Sequence, residues 1–368
     1  MSVAGTVCFV ARLDFVTKPG GDTVQWQMYD RAARDAGWST VCWFGDEPMP
    51  DADVYHAFNI DRPLELYPKL RRVREADRPF VLSTIHHPNA WLEKFRAAHP
   101  PGGHLGAVFY RSPVGRSVAA GESIKELARL LRQGRIGRVP DLVPGWSARV
   151  RWLLREAAAV TLLAGAEGPW IERDFGAALD PRRTVILPNW VEGISAPAGV
   201  PDVEAARDAI LVVARIEARK NVLQAARWLE RAGVRALFLG RPNPNEPGYA
   251  RAFEQAVGMA RHVRWIPGVP RETLAGYYAA GRALLNPSFV EVSPLVDIEA
   301  LAHGCPVITT RYALHHELLP AGIPQVDPYD EATVLAAVPN PPARMLPRLV
   351  TDPAACRRTL LETYWNLA

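Results

Sequence analysis

Cysteine, lysine and long apolar runs are all scarce in this 368-residue chain. The four cysteines, Cys8, Cys42, Cys305 and Cys356, are scattered with no CxxC pair. That spacing argues against a disulfide framework or a cysteine-built zinc site and fits a reducing cytoplasm. No stretch of about 18 apolar residues occurs, so no membrane-spanning helix is expected. The N-terminus, MSVAGTVCFVARLDF, lacks a basic start before its apolar run, and reads as a first strand rather than a signal peptide. No HExxH or similar spacing surrounds the histidines, and no metal is expected. Only five lysines stand among 43 basic residues. Arginine bias of this kind can reflect genome composition, and no nucleic-acid partner is expected. The net charge of +4 is uneven, however. Residues 105–155 hold ten Lys/Arg against three Asp/Glu, which invites an anionic surface or acceptor.

Hydrophobic content of 48% and charged content of 22% are those of an ordinary globular protein, and the length favours two domains. The chain opens as strand (5–11), glycine loop, helix (to about 36), strand (40–44), a βαβ unit. Gly20 and Gly21 lie where that loop meets the helix, a place where backbone approaches a phosphate closely, although a plain turn reads the same way. Further strands are expected at 54–59, 80–85, 160–163 and 184–187. The fourth strand ends in His86-His87, past a strand's carboxyl end, where open α/β sheets bind ligands. An amphipathic helix over 122–133 carries Ile124, Leu127, Leu130 and Leu131 on one face and Lys125, Arg129 and Arg132 on another. A surface helix packed on the domain is one reading; an interfacial helix on anionic lipid is the other. Residues 196–202, APAGVPD, read as a linker.

The second half restarts the alternation with a buried strand at 209–214. The loop Arg215-Ile-Glu-Ala-Arg-Lys220 and a helix capped by Asn221 follow. Further on, FVEVSPLVDIEALAHGCPVITT reads as loop, buried helix and strand, with Ser293 as N-cap and Pro294 at the first helical position. Glu291 sits in the loop and Glu299 in the helix, where a carboxylate needs a hydrogen-bonding partner. Arg215 and Lys220 would meet a diphosphate at a helix N-terminus. Two strand–helix series joined by one linker predict two Rossmann-like domains facing each other across a cleft. The expected boundaries are 1–195 and 203–350, with the terminal helix 355–368 packing back on the first domain. Asp51-Ala52-Asp53 precedes a strand and reads as a turn rather than a metal-binding triplet.

The E-x7-E pair Glu291/Glu299, the basic pair Arg215/Lys220, EALAHGCPVITT and residues 263–288 together resemble the donor domain of retaining glycosyltransferases of family 4, the glycosyl transferases group 1, with the GT-B fold. Gly20-Gly21 and Thr84–His87 resemble that family more loosely. The resemblance implies that Glu291 contacts the donor sugar and Glu299 the ribose. It implies that Val292, Ser293, Pro294 and Leu295 meet sugar and phosphate, and that Arg215 and Lys220 neutralise the leaving diphosphate. Gly20-Gly21 would close over the phosphates. His86 or His87 would line the sugar or acceptor pocket, and the base would lie against backbone near 266–269, including Gly268. The substrates implied are a nucleotide-diphosphate sugar and a glycan or lipid-linked acceptor, with no cofactor, in bacterial cell-surface glycan synthesis. Membrane contact would run through 105–155, at the inner face. Ser293-Pro294-Leu295 replaces the aromatic and Gly-Leu of many members, and Asp297 adds a negative charge beside the expected phosphate. A sugar-nucleotide epimerase of similar build and a non-catalytic sugar-nucleotide-binding subunit are the alternatives.

Overall fold

A computed structural model describes residues 4–15, 20–100, 108–110, 112–191, 202–344 and 346–368. The chain forms two compact units. Unit 1 comprises Met1–Asn189 with Ala354–Ala368, and unit 2 comprises Trp190–Pro353. The expected linker at 196–202 lies outside the described residues apart from Asp202.

Unit 1 is a six-stranded parallel sheet in the order β2-β1-β3-β4-β5-β6. Its elements are β1 (Thr6–Val10), α1 (Gly21–Asp35), β2 (Ser39–Trp43), β3 (Val54–Phe58), α2 (Pro63–Glu75), β4 (Phe80–Ser83), α3 (Asn89–Ala98), α4 (Val118–Arg132), α5 (Trp146–Glu156), β5 (Ala159–Leu162), α6 (Glu167–Phe175) and β6 (Thr184–Ile186). Strands β1, β3, β4 and β5 are almost wholly buried because helices cover a parallel sheet on both faces. Helix α3 carries little of the spacing that marks a helix in sequence and was not expected there.

The basic helix packs differently from its sequence pattern. Of the four apolar residues expected on one face, only Leu130 is buried; Ile124, Leu127 and Leu131 are exposed. The buried face of α4 instead includes Glu126, which pairs with the buried Arg149 of α5 and accepts the Leu64 N–H at 3.2 Å. This pair takes the inward position that a leucine was expected to fill. Much of the basic block is likewise neutralised: Arg129 by Glu65, Arg138 by Asp141 and Lys125 by Glu122.

The last helix, α12 (Pro353–Trp365), has a buried side made by Cys356, Leu360, Thr363 and Tyr364. Tyr364 Oη and His56 Nδ1 share a 2.7 Å hydrogen bond, and His56 Nε2 meets Ser83 Oγ at 2.8 Å. Burial pushes the His56 ring down to about 3, so it serves here as a neutral linker.

Unit 2 is a second six-stranded parallel sheet, in the order β12-β11-β10-β7-β8-β9. It contains β7 (Ile210–Val213), α7 (Val222–Arg231), β8 (Ala236–Leu239), α8 (Pro247–Gly258), β9 (Val263–Ile266), α9 (Leu274–Ala280), β10 (Ala283–Leu285), α10 (Leu295–Ala302), β11 (Val307–Thr310), β12 (Gln325–Val326) and α11 (Glu331–Ala337). Apolar clusters lie on both faces of this sheet, one around Phe238 and Phe253, the other around Tyr278 and Leu301. The loops after β7 and β8 run together: Ile216 N donates to Arg241 O at 3.0 Å. Gly240 permits this approach, since a Cβ there would stand 1.8 Å from the Ala214 carbonyl oxygen.

Candidate active site

Strand β7 opens unit 2 and lies in the middle of its sheet. The chain proceeds outward to β8 and β9, then returns to lay β10, β11 and β12 on the other side. The reversal falls between β7 and β10. Beyond the carboxyl ends of strands, such a reversal opens a crevice between loops that diverge. Arg215–Lys220 follows β7, and Asn286–Pro294 follows β10, so both loops rise at this point. They are tied directly, Phe289 N donating to Arg219 O at 2.9 Å.

Lys220 Nζ and the Glu291 carboxylate form an ion pair across the crevice. Glu291 is 7% exposed. Burial alone would raise its carboxyl, but the charges of Lys220 and Arg219 and hydrogen bonds from Lys220 and Ser288 outweigh it and hold the group at about 2. The backbone is fixed as well, with Glu291 N on Tyr312 O at 2.8 Å and Leu314 N on Val292 O at 3.0 Å. Arg215 lies on the same loop as Lys220, its Nη2 3.3 Å from Glu217 Oε2. Glu217 is buried and also accepts Asn243 Nδ2 at 2.8 Å.

The acid helix starts one residue later than its sequence suggests. Pro294 is the N-cap and Leu295 the first helical residue, so Ser293 precedes the cap. Asn221 likewise occupies the N-cap of α7 without capping it, its Nδ2 donating to Pro328 O at 3.0 Å. Glu299 is 6% exposed and bonded by Arg271 and by Tyr278 Oη at 3.3 Å. Burial raises its carboxyl, and Arg271 offsets only part of that. Asp297 turns inward: wholly buried, it accepts Asn286 Nδ2 at 3.1 Å and Thr309 Oγ1 at 2.5 Å. Its charge is therefore met by the sheet's own polar groups, which answers the conflict its position raises in sequence. Gly268, just past β9, has φ +98 and bonds its N–H to Ile266 O at 2.7 Å.

In unit 1 the reversal lies between β1 and β3. Gly20 is the N-cap of α1 and Gly21 its first residue, with no left-handed backbone at either. The helix end already holds a carboxylate: Asp22 accepts Thr23 N at 3.0 Å and pairs with Arg12 at 3.2 Å. Gly20 N donates to Thr23 Oγ1 at 3.1 Å, and a phosphate approaching Gly20-Gly21 also meets this ion pair.

The structure places His86 away from the pocket-lining position expected of it. Its ring is fully enclosed, with Nδ1 2.7 Å from Asp61 Oδ1 and Nε2 2.9 Å from Asp174 Oδ2. Burial would lower it, but the two carboxylates raise it to about 9. With both nitrogens committed, His86 holds other groups in place rather than touching a ligand. His87 is half-buried, its Nδ1 2.8 Å from Asp61 Oδ2. Asp61, Asp174, Glu217 and Arg271 were not singled out from the sequence. The signal available was weak: Asp61 lies three residues beyond the end of β3, Asp174 lies inside α6, and Glu217 lies within a basic loop. Asp51 and Asp53 sit at the opposite, amino edge of the sheet, where Asp53 accepts Thr6 N at 2.8 Å.

Residues 207–342 match the family model of the glycosyl transferases group 1. This segment belongs to the group 1 glycosyltransferases. Over 103 residues the chain is 36% identical to a D-inositol 3-phosphate glycosyltransferase of Mycobacteroides abscessus, covering 27% of this chain and 23% of that protein. The match thus spans about a quarter of the length of that relative. A 195-residue stretch is also 28% identical to a 4-hydroxy-2-oxo-heptane-1,7-dioate aldolase of Klebsiella pneumoniae, covering 47% of this chain and 69% of that protein. The solved structures resolve this disagreement at the level of fold. Sucrose-phosphate synthase from Thermosynechococcus elongatus superposes with a TM-score of 0.64 at 15% identity, over 98% of this chain and 93% of that one. Anabaena HepE in complex with UDP-glucose gives 0.61 at 13% identity, over 99% and 100%. The chain is α/β with the GT-B fold that these solved structures share. Among its described residues, no helix is long and apolar enough to cross a membrane.

Proposed function

We propose that this group 1 glycosyltransferase is a retaining, metal-independent enzyme that moves a hexosyl or deoxyhexosyl group from a nucleoside-diphosphate sugar to a hydroxyl acceptor. The Lys220–Glu291 pair at the β7/β10 reversal, with Arg215 on the same loop, carries the reading. The leaving diphosphate develops negative charge as the glycosidic bond breaks, and a fixed ammonium and guanidinium in a partly desolvated crevice stabilise that charge. This role is one that a divalent metal fills elsewhere. Glu291, held ionised by Lys220, accepts hydrogen bonds from donor-sugar hydroxyls, and Glu299 those of the ribose. A carboxylate so neutralised is a poor nucleophile. The reading therefore has the acceptor oxygen attack on the face the phosphate leaves, the departing phosphate oxygen taking its proton.

HepE was solved with UDP-glucose, and sucrose-phosphate synthase shares the fold, which supports a nucleotide-sugar donor here. For the acceptor, the reading is a glycan or lipid-linked hydroxyl of cell-surface synthesis, met at the inner face of the membrane. Seven of the thirteen large apolar side chains exposed among the described residues lie between Val108 and Val143, a segment rich in arginine. Such a face suits an anionic bilayer.

The test is incubation with a panel of nucleoside-diphosphate sugars and acceptors, with anomeric analysis of the product. Transfer with retention in the presence of a chelator is expected, and Lys220→Ala should lower the rate about 10²–10³-fold. Epimer formation from donor alone, an inverted product or full activity in Lys220→Ala overturns the reading. Salt-sensitive binding to phosphatidylglycerol vesicles tests the membrane contact.

A further inference from the structure

The carboxyl edge of the unit 2 sheet holds a cation that the proposed chemistry does not use. Arg215, Arg219 and Lys220 each lie close to a carboxylate, Glu217 for the first two and Glu291 for the third. Among the described residues no carboxylate pairs with Arg241, whose side chain is exposed. It follows β8 after Gly240, and its backbone is tied to the loop after β7. Its carbonyl accepts Ile216 N at 3.0 Å, and Pro242 bridges to Ile216. Its side chain lies over Gly268, the turn after β9. A Cβ at Gly268 would stand 2.6 Å from Arg241 Cγ and 2.8 Å from Nε, so the bare glycine makes room for the guanidinium.

The strand order fixes where this group stands relative to a nucleotide. Adjacent strands are about 4.8 Å apart. Glu299, the ribose contact of the proposed function, is held by Arg271 beyond the end of β9, so a diphosphate at the β7/β10 reversal runs outward along this edge and carries its base about two strand spacings on, over the ends of β8 and β9. Arg241 and Gly268 occupy those ends. A guanidinium is planar and donor-only, so it pairs with acceptor edges. Uracil and guanine present a ring carbonyl; adenine presents an amino donor at the corresponding position.

We infer that Arg241, seated over Gly268, reads the base of the donor nucleotide and selects oxo-bases, uracil or guanine, over adenine. The inference rests on the nucleotide-sugar reading above, and goes beyond it by assigning base choice to one residue.

The experiment measures dissociation constants of the full chain for UDP, GDP and ADP by thermal shift and calorimetry, in wild type, Arg241→Ala, Arg241→Lys and Gly268→Ala. In wild type, UDP or GDP should bind at least about tenfold more tightly than ADP. Arg241→Ala should bring the preferred nucleotide to the level of ADP and leave ADP unchanged. Arg241→Lys keeps the charge but not the planar fork, and should lose the selectivity too. Gly268→Ala, which displaces the side chain without removing it, should act in the same direction. Equal weakening of all three nucleotides by Arg241→Ala would mark a phosphate contact and overturn the inference. An unchanged preference in that variant, or tight ADP binding by wild type, overturns it as well. Should no nucleoside diphosphate bind wild type, the nucleotide-sugar reading itself fails.

Discussion

Lys220 and Glu291, 71 residues apart in sequence, meet as a partly buried ion pair where the unit 2 sheet reverses. Each group makes the other tolerable in a site that water barely reaches. Replacing Lys220 by Met leaves a buried carboxylate without its cation. Breaking such a pair from one side costs about 3–5 kcal/mol. The variant should therefore unfold at lower denaturant concentration as well as lose activity, and Glu291→Gln in the same chain should recover stability but not turnover. Equilibrium urea unfolding of the three proteins checks this.

The same pair sets an acid limit. Glu291 titrates at about 2 in the folded protein against an ordinary 4.5. A depressed carboxyl contributes stability above its unfolded value, and that stability is lost as pH falls from about 4.5 towards 2. The loss should be on the order of 3 kcal/mol, and smaller in Glu291→Gln. Unfolding midpoints measured from pH 5 downward report it.

The Asp61–His86–Asp174 cluster has the opposite sign. His86 is raised from 6.5 to about 9, so its contribution is complete below pH 6.5 and fades as pH rises through 9. Asp174→Asn should flatten this alkaline loss of stability. Denaturation at pH 6, 7.5 and 9, the pH values being chosen to bracket the transition, is the measurement.

Tyr364→Phe removes the hydroxyl that meets His56 inside unit 1. A buried polar group left without its partner costs about 1–3 kcal/mol, and the melting temperature should fall accordingly. Tyr364→Phe combined with His56→Phe should recover part of the loss. A melting temperature unchanged in the single variant would mean that water replaces the phenol.

Glu299→Ala separates binding from chemistry. A ribose contact acts equally in ground and transition states, so KM for the donor should rise with kcat little changed. Steady-state kinetics with donor varied at saturating acceptor distinguishes this from a role in the chemical step, in which kcat would fall.

Much of the fold was written in local pattern. The strands expected at 54–59 and 184–187 are found at Val54–Phe58 and Thr184–Ile186. The acids at 291 and 299 and the cations at 215 and 220 stand out because they interrupt apolar segments. Helix α7 starts where Asn221 was expected to start it, although the Asn221 side chain bonds Pro328 O instead of capping, whereas the acid helix starts one residue later than Ser293 suggests.

The sequence by itself determined the strand–helix alternation, since periodicity and punctuation are local properties. It also determined which residue types flank each strand end. Only the tertiary structure decided the partners: Lys220 with Glu291, Arg271 with Glu299, His86 between two aspartates, and Glu126 inward with Arg149. Ion pairing and burial depend on which strand ends the sheet order brings together, and no spacing along the chain encodes that order.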